Sequence, residues 1–310
     1  MDFPIYELLS EEKCYQWLLD FLHDGILKSP YSNDTNFHIN DSRRAPVIQY
    51  YDKITKKTFN IFTGTVFQGT HFTCSEIVLI IRGFLQGVST AQLSRELDTD
   101  YQNLLELRHK FMERGYSNLD KKPLQDATTE TDEMFQNAGE KGTKHTDPED
   151  PPRRRANKKK GHGTYENDRP PVVGTVGRDS GLVHLVVKTG TTKSELNEQI
   201  TSFTKPQTTC NTDEWQGYAD VRKMNRTHKT VLHAKKEYAR DDDGDGINEV
   251  HTNTIEGLWT GLRNFLRIFR GVHKKYLHLY CAIFEIKNNF KKVTRAVVQS
   301  LCFRNRILTI

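Results

Sequence analysis

The sequence predicts an α+β protein in which a mixed β-sheet, flanked by helices, follows a smaller and largely helical part. Two strand-like segments, PPVVGTVG and LVHLVVK, flank the turn RDSG and predict a hairpin. A helical pattern follows over Lys193–Phe203, then a short strand near Thr208–Thr212, and Val231–Leu232 is a further strand candidate. Two amphipathic helices, Thr254–Phe269 and Tyr276–Asn289, close the region, as expected of a sheet covered by helices.

The N-terminal segment begins with a predicted helix. Ser10 can cap its start, and Gly25 stands where the helix should end. Between them, apolar residues recur at helical spacing: Cys14, Trp17, Leu18 and Phe21. Residues 29–67 predict short strands and turns, and TFNIFTGTVF has the most strand-like pattern among them.

Three helical segments with tight turns follow over residues 69–115. Ile77–Leu85 is apolar, Ser89 can cap STAQLSREL, and YQNLLELRHKFMER carries an apolar stripe. The arrangement predicts a helix-turn-helix whose last helix offers Arg108 and Lys110 to DNA. A small helical bundle has the same periodicity, so that alternative stays open.

The charge distribution permits a DNA partner without requiring one. The 310 residues suffice for about two domains, and the formal net charge is +5. Cations cluster in two stretches, the first with Arg153, Arg154, Arg155, Lys158, Lys159 and Lys160, the second with Arg263, Arg267, Arg270, Lys274 and Lys275. Such clusters can neutralise DNA phosphates, although a solvated basic loop explains the first cluster equally well.

The sequence argues against a membrane or secreted protein. No apolar stretch approaches the roughly 20 residues of a membrane helix, and the N-terminus MDFPIYELLSEEK lacks a signal-peptide pattern. The five cysteines are widely spaced and form no CxxC pair. We therefore expect a cytoplasmic protein with reduced thiols.

Three acidic residues lie where a sheet-based nuclease would place its metal ligands. Asp132 falls in a strand predicted over Thr128–Phe135, Asp213 at the end of a later strand, and Glu256 near the start of a long helix. Carboxylates from separate elements can hold two divalent ions about 3.5–4 Å apart at a phosphodiester. Oxygen ligands suit Mg²⁺. Taken singly, each acid is more typical of a solvated surface group.

The helix around Glu256 carries the most information. Its apolar stripe consists of Ile255, Leu258, Trp259, Leu262 and Leu266. Glu256 lies at the edge of this stripe, and Arg263, two turns along nearly the same face, can hold a phosphate beside it. Asn253, three residues before Glu256, can join the site as a neutral ligand or an orienting group. An ordinary amphipathic helix has the same pattern.

Three motifs resemble those of a known family. TDEMFQNAGEKG (131–142), TDEWQGY (212–218) and HTNTIEGLWTGLRNFLR (251–267) are similar to motifs of the ISXO2-like DDE transposases of bacterial insertion sequences, whose eukaryotic relatives are the Merlin elements. LSEEKCYQWL, FTGTVFQGT and GVSTAQLSREL stand in the family's order, so the resemblance covers most of the chain. The motif H-x-N-x-I-E-G-x-W, with a basic residue seven positions after the Glu, is specific.

The resemblance implies a ribonuclease-H-like domain in which Asp132, Asp213 and Glu256 bind the metal and Arg263 is the basic residue of the same helix. Family members differ over which residue of this helix is essential, so Asn253 remains a candidate beside Glu256. The implied cofactor is Mg²⁺, with Mn²⁺ as an alternative. The implied partner is DNA, both the terminal inverted repeats of the element and the target, bound by a homo-oligomer. The implied reaction is metal-dependent strand cleavage followed by strand transfer.

The resemblance also implies a domain order. A zinc-ribbon-like head spans 1–68, a helix-turn-helix segment 69–115, and the catalytic domain 126–296 with an inserted basic loop, 137–170. The family's ribbon has a CPxC pair and a second CxxC pair before the TGT segment, but here the first pair is Ser29-Pro30-Tyr31-Ser32 and YYDKITKKTF contains no cysteine. A tetrahedral zinc site needs thiolates or imidazoles. We therefore expect a degenerate ribbon without structural zinc, which either folds around aromatic residues or is weakened.

Two other functions stay open. A nuclease or resolvase on the same fold would cut DNA without strand transfer, and a decayed or repurposed relative would bind DNA without catalysis. Two further patterns have plainer interpretations. Asp241–Gly246 begins like a calcium loop, but Thr252 stands where that loop needs a Glu, which favours an ordinary acidic loop. Trp215 and Tyr218 are predicted to be core residues.

Overall fold

The computed structural model describes residues 10–149 and 161–309, which divide into two compact units. Unit 1 contains the described part of Met1–Asp120 together with Phe290–Leu308, and unit 2 contains the described part of Lys121–Asn289. Across these ranges, every helix is too short or too polar to cross a membrane. The chain has the predicted mixed α+β composition.

Unit 1 is largely helical. Its helices are α1 (Glu11–His23), α2 (Cys74–Gln86), α3 (Thr90–Glu96), α4 (Tyr101–Asn118) and α8 (Arg295–Cys302). The predicted caps are confirmed, because the Ser10 hydroxyl accepts a hydrogen bond from the Lys13 backbone N–H and the Ser89 hydroxyl accepts one from Gln92. The segments predicted to be helical around 77–85, 89–97 and 101–114 are α2, α3 and α4.

A three-stranded antiparallel sheet lies between α1 and α2 in the sequence. Its strands are β1 (Phe37–Asp41), β2 (Gln49–Asp52) and β3 (Thr58–Phe59), in that order. The strand prediction for TFNIFTGTVF is wrong beyond Phe59. There the Asn60 side chain accepts from Phe62 N at 2.9 Å and the Thr63 hydroxyl accepts from Asn60 N at 2.9 Å. These local side-chain bonds favour turns over a strand ladder.

A hydrogen-bonded cluster joins Ser29 and Ser32, the two ends of the Ser-Pro-Tyr-Ser segment, to Asp52. The hydroxyls of Ser29 and Ser32 both donate to the Asp52 carboxylate, Ser32 at 2.6 Å. The other Asp52 oxygen accepts from the backbone N–H groups of Ile54, at 2.7 Å, and Thr55, at 3.1 Å. Ser29 and Asp52 are both buried. We call Ser29, Ser32 and Asp52 the serine–aspartate knuckle.

Unit 2 is built on a five-stranded mixed sheet, which confirms the predicted sheet type. The strands are β5 (Thr128–Phe135), β6 (Pro171–Gly177), β7 (Val183–Val187), β8 (Thr209–Thr212) and β9 (Thr227–Thr230). Their spatial order is β7-β6-β5-β8-β9. Strands β5, β6 and β7 pair antiparallel, and β5, β8 and β9 pair parallel. The predicted hairpin is therefore β6–β7.

The strand predicted at Val231–Leu232 is wrong in position. The edge strand β9 is the preceding segment THKT, and buried Val231 follows it. An edge strand pairs on one side only and tolerates polar residues. The segment THKT therefore shows no apolar alternation, and the strand prediction fell on the apolar pair Val231–Leu232 that follows it. Shorter pairs complete the strands: β4 (Leu119–Asp120) with β12 (Leu308–Thr309), and β10 (Ala239–Arg240) with β11 (Val250–His251).

Helices cover both faces of the sheet of unit 2. On one face, α5 (Lys193–Phe203) packs in a core cluster that includes Val173 of β6. On the other lies α6 (Asn253–Arg267). The next strand residue, Gly174, faces α6, because a Cβ on it would lie 2.6 Å from the Trp259 ring. Successive strand residues point to opposite faces, so α5 and α6 lie on opposite sides. Helix α7 (Leu277–Asn289) runs along edge strand β7, where Glu285 accepts from Leu185 N at 3.0 Å and Asn289 accepts from Val183 N at 2.9 Å.

The base of the inserted loop is held to the segment between α6 and α7. Lys274 is buried and pairs with Glu140 at 3.2 Å and Asp168 at 3.1 Å, and its backbone N–H donates to Gly139 O at 2.8 Å. Lys274 belonged to the second predicted phosphate-binding stretch. That expectation is wrong for this residue, because its ammonium group is enclosed between two carboxylates of the loop.

The serine–aspartate knuckle generates a stability prediction. Ser29→Ala removes a hydroxyl that donates to buried Asp52 and accepts from Tyr31 N at 3.2 Å. We expect a loss of about 1–3 kcal/mol in unfolding free energy, measured by urea denaturation. The matched control is Ser42→Ala at an exposed position, which should change stability by less than about 0.5 kcal/mol. A metal chelator should leave both midpoints unchanged; chelator-induced unfolding would contradict the prediction.

Candidate active site

Strand β5 carries three acidic residues near the centre of the sheet, and they divide between its two faces. Glu130 and Asp132 face α6: Asp132 Oδ2 accepts a hydrogen bond from Trp259 Nε1 at 2.8 Å, and Glu130 accepts from Ile255 N at 3.0 Å. Glu133 points to the opposite face, where it accepts from the Tyr218 hydroxyl at 2.6 Å. The alternation of side chains along a strand produces this division.

Asp213 lies next to β5 because β8, the strand it follows, is the parallel neighbour of β5. Parallel strands bring their carboxyl ends to the same edge of a sheet, so Asp132 and Asp213 reach that edge together. Asp213 is half-buried, and its Oδ1 accepts a hydrogen bond from Trp215 N at 3.0 Å. This bond fixes the carboxylate at the start of the following turn.

Glu256 reaches the same region from the first turn of α6. Its side chain is 48% exposed and lies 3.6 Å from His233 Nε2. Asn253 is the first residue of the helix and is exposed. The sequence does not single out His233, because nothing in its pattern shows that the segment after β9 bends back toward α6.

The pKa of Asp132 reflects its burial and the nearness of the other two predicted carboxylates. Burial raises the pKa of Asp132 to about 6. The hydrogen bond from Trp259 acts in the opposite direction, and the nearby Asp213 and Glu256 carboxylates raise the pKa further. Burial also raises the pKa of Asp213. Like charges brought together in a partly buried site disfavour ionisation. Bound cations are the usual way to relieve such repulsion.

The donor chemistry of this site fits a divalent cation that prefers oxygen, since its side chains are carboxylates at a partly open edge. The three side chains do not form a closed cage as they stand. Within the described residues, a different acidic group is more compact. The carboxylate ligand atoms of Asp241, Asp243 and Glu249 all lie within 4.8 Å of one another. A site completed by substrate phosphate oxygens needs no such cage from the protein alone.

The second acidic group is less suited to a catalytic metal. Glu249 pairs with Lys229 at 2.9 Å, and Asp241 accepts backbone hydrogen bonds from Gly244 at 2.6 Å and Gly246 at 2.9 Å. These carboxylates are therefore already satisfied by a cation and by backbone N–H groups. The acidic loop predicted at Asp241–Gly246 is observed as a loop.

The predicted basic residues differ in exposure and in whether the structure describes them. Arg263, Arg267 and Lys110 are exposed. Arg263 lies close enough to Arg169 to reinforce the lowering of the Arg169 pKa that burial causes. The predicted DNA contacts Arg153, Arg154, Arg155, Lys158, Lys159 and Lys160 lie outside the described residues.

Arg108, expected to contact DNA, has a different environment. It is 1% exposed, donates to Val88 O at 2.5 Å, and packs over the Phe84 ring with 4.3 Å between the guanidinium carbon and the ring centroid. Its cation stabilises the packing of α4 against α2 and is not presented to solvent. The sequence could not show this, because a helical Arg has the same pattern whether its face is exposed or buried.

Two aromatic residues after Asp213 have contrasting environments. Tyr218 is fully buried, as predicted, whereas Trp215 is 37% exposed. The Trp215 ring stacks on His162 with centroids 4.4 Å apart. The core prediction for Trp215 is therefore wrong, because its partner comes from the far end of the inserted loop.

Known proteins similar to this chain include transposon proteins. Residues 130–289 match the family model described as the ISXO2-like transposase domain. The chain is 27% identical over 257 residues to an uncharacterized protein in transposable element ISH50 of Halobacterium salinarum, covering 82% of this chain and 83% of that protein.

Two of the solved structures that match this chain have low sequence identity to it. A simian T-cell lymphotropic virus intasome in complex with PP2A regulatory subunit B56 gamma is 15% identical, with a TM-score of 0.31, over 67% of each chain. A pre-cleavage Mos1 transpososome is 9% identical, with a TM-score of 0.19, over 70% of this chain and 77% of that one.

Glu133 generates a pH prediction. Burial raises its pKa from the ordinary 4.5 to about 8, with added repulsion from Asp132 and Asp213 and against the Tyr218 hydrogen bond. The folded chain therefore holds this proton more tightly than the unfolded chain. The resulting stabilisation is complete below about pH 4.5 and is lost as the pH rises through about 8.

In the metal-free protein, we compare the free energy of unfolding of the wild type with that of Glu133→Gln. The wild-type value minus the variant value should fall by an amount on the order of a few kcal/mol between about pH 5 and about pH 9. Thermal melts across this range measure it. Exposed Glu198, paired with Lys188 on the surface, supplies the control: wild type and Glu198→Gln should keep a constant difference. Parallel profiles for wild type and Glu133→Gln would contradict the assignment.

Proposed function

The chain belongs to the family of ISXO2-like transposases, and from this we propose that it catalyses metal-dependent cleavage and strand transfer of the DNA of an insertion sequence. One observation supports the enzymatic part above all others. Asp132, Asp213 and Glu256 come from three separate elements, yet Asp132 is fixed by Trp259 and lies close enough to the other two carboxylates for their charges to add to the rise in its pKa that burial causes. Three solvated surface acids without a common site would show no such coupling.

We assign the metal-binding role to these three carboxylates in a ribonuclease-H-like domain. When bound, a pair of divalent ions, Mg²⁺ or Mn²⁺, supplies Lewis-acid chemistry at a phosphodiester. Asp132 is held by the Trp259 indole and Asp213 by Trp215 N, so both carboxylates are oriented in advance. Glu256 is the more exposed ligand and completes the site from the helix side.

The proposed reaction has two steps. Water attacks a phosphodiester at the element end and frees a 3′-hydroxyl, which then attacks a phosphodiester of the target DNA. Each step exchanges one P–O bond for another, so no covalent enzyme intermediate is required. We assign exposed Arg263, seven residues after Glu256, to bind a phosphate oxygen of the strand. Asn253, at the start of the same helix, is the alternative third ligand.

The DNA-binding role is proposed for both units. The head comprises a degenerate ribbon over 1–68 and a helix-turn-helix over 69–115, with Lys110 exposed on α4. The catalytic domain, 126–296, contributes Arg267 and the basic stretch within 137–170. Cations at these positions would bind phosphates of the terminal repeats and of the target. Transposases of this kind act on paired ends, so we propose a homo-oligomer on DNA.

Removing one carboxylate at a time tests the site. Asp132→Asn, Asp213→Asn and Glu256→Gln should each lower the Mg²⁺-dependent cleavage rate at least about 100-fold, because each removes a direct ligand. DNA binding, measured by gel shift, should remain. Asp241→Asn, in the second acidic group, is the matched control and should keep its activity. Full activity in any of the first three would remove that residue from the mechanism.

The distinction from a nuclease or resolvase requires a second assay. Pre-cleaved element ends with a free 3′-hydroxyl are supplied together with target DNA and Mg²⁺. Joined products, absent with Asp132→Asn, support strand transfer. Cleavage without joining would support the nuclease alternative. DNA binding with neither activity would support a repurposed binding protein.

A further inference from the structure

Glu130 is a buried acid that the proposed reaction does not use. Its side chain is fully enclosed and has four polar partners. Arg178 Nε lies at 2.8 Å, the Thr254 hydroxyl at 2.8 Å, the Ile255 backbone N–H at 3.0 Å and His251 Nδ1 at 3.1 Å. Three of these partners lie in or just before the first turn of α6. A buried carboxylate with this many partners has one fixed position.

Glu130 supplies the N-terminal cap that α6 does not make for itself. Thr252 stands at the N-cap position, but within the described chain its side chain makes no cap hydrogen bond. The free N–H groups of the first turn therefore need another acceptor, and Glu130 is the acceptor for Ile255 N. A negative charge is favourable at this end of the helix because of the helix dipole.

The segment leading into α6 is bound by the same group of side chains. Arg178 donates to the carbonyl oxygens of Glu249 and His251, the latter at 2.8 Å. Asn211 Nδ2 donates to the same two carbonyls, at 3.3 and 3.4 Å. Strand β11 and the first turn of α6 are thus fixed to β5, to β8 and to Arg178 directly after β6. Because these contacts are hydrogen bonds, they fix the orientation of the segment as well as its position.

We infer that Glu130 is a positioning residue for the proposed metal site. It stands two residues before Asp132 on the same face of β5, and it binds the residue next to Glu256. The distance between these two proposed ligands therefore depends on Glu130 and Arg178. This inference rests on the proposed function, since it concerns the metal that the proposed function requires.

The chain contains a matched control for this role. Glu285 of α7 is also fully buried, and it too binds a cation, a histidine and a backbone N–H: Lys121 at 3.0 Å, His184 at 3.0 Å and Leu185 N at 3.0 Å. It fixes α7 to β7, and these polar partners lie in β7 and at Lys121. Glu130→Gln and Glu285→Gln therefore remove the same charge from the same kind of environment.

The experiment measures Mn²⁺ binding by the full chain, in an Asp241→Asn background that removes the second acidic group. We expect Glu130→Gln to weaken Mn²⁺ binding at least about tenfold, as loss of an outer partner of a ligand does. Glu285→Gln should stay within about twofold of its parent, even where both variants lose similar stability toward urea. Unchanged binding in Glu130→Gln, or an equal loss in Glu285→Gln, overturns the inference.

A milder pair of variants covers the case in which Glu130→Gln does not fold. Thr254→Val removes one hydrogen bond to Glu130, and Thr260→Val, on the same helix, removes only a bond to the Glu256 carbonyl. The first should weaken Mn²⁺ binding about threefold to tenfold and the second should not. Equal effects overturn the inference. A parent that binds no Mn²⁺ at all overturns the proposed function as well.

Discussion

Helix α6 lies on β5 through hydrogen bonds between two strand carboxylates and two groups of the helix. Glu130 and Asp132 are two residues apart on the strand, about 6.6 Å. Their partners Ile255 and Trp259 are four residues apart on the helix, about 6 Å. The two spacings match, so both bonds can form at once. Displacing the helix along the strand would leave buried carboxylates without these partners. The position of Glu256 therefore depends on the pairing of Glu130 with Ile255 and of Asp132 with Trp259.

Much of unit 2 could be predicted because its patterns are local. The hairpin β6–β7 followed from two apolar segments around a turn, and α5 was predicted at its observed limits, Lys193–Phe203. Failures occurred where a local pattern was misleading. Strand β9 is polar because it lies at an edge, and the segment after Phe59 forms turns because Asn60 and Thr63 bond to nearby backbone. Neither cause is visible in apolar periodicity.

The candidate site was predictable only in part, for a different reason. Motif order selected Asp132, Asp213 and Glu256, but partners distant in sequence decide what the surrounding residues do. Glu130 meets Thr254 across 124 positions, and Trp215 meets His162 from the other end of an inserted loop. Arg108 has an ordinary helical pattern and is enclosed by Phe84 and Val88. These roles depend on contacts between segments that are distant in the sequence, and a single sequence does not reveal such contacts.

The serine–aspartate knuckle joins the segment before β1 to the end of β2 by hydrogen bonds among Ser29, Ser32 and Asp52. Thiolate knuckles make folding depend on the supply of a scarce ion and on keeping sulfur reduced. Hydroxyl and carboxylate groups have neither requirement. The bonds of the knuckle therefore form as soon as folding brings Ser29 and Ser32 to Asp52, and oxidants that open thiolate knuckles find no sulfur in these three side chains.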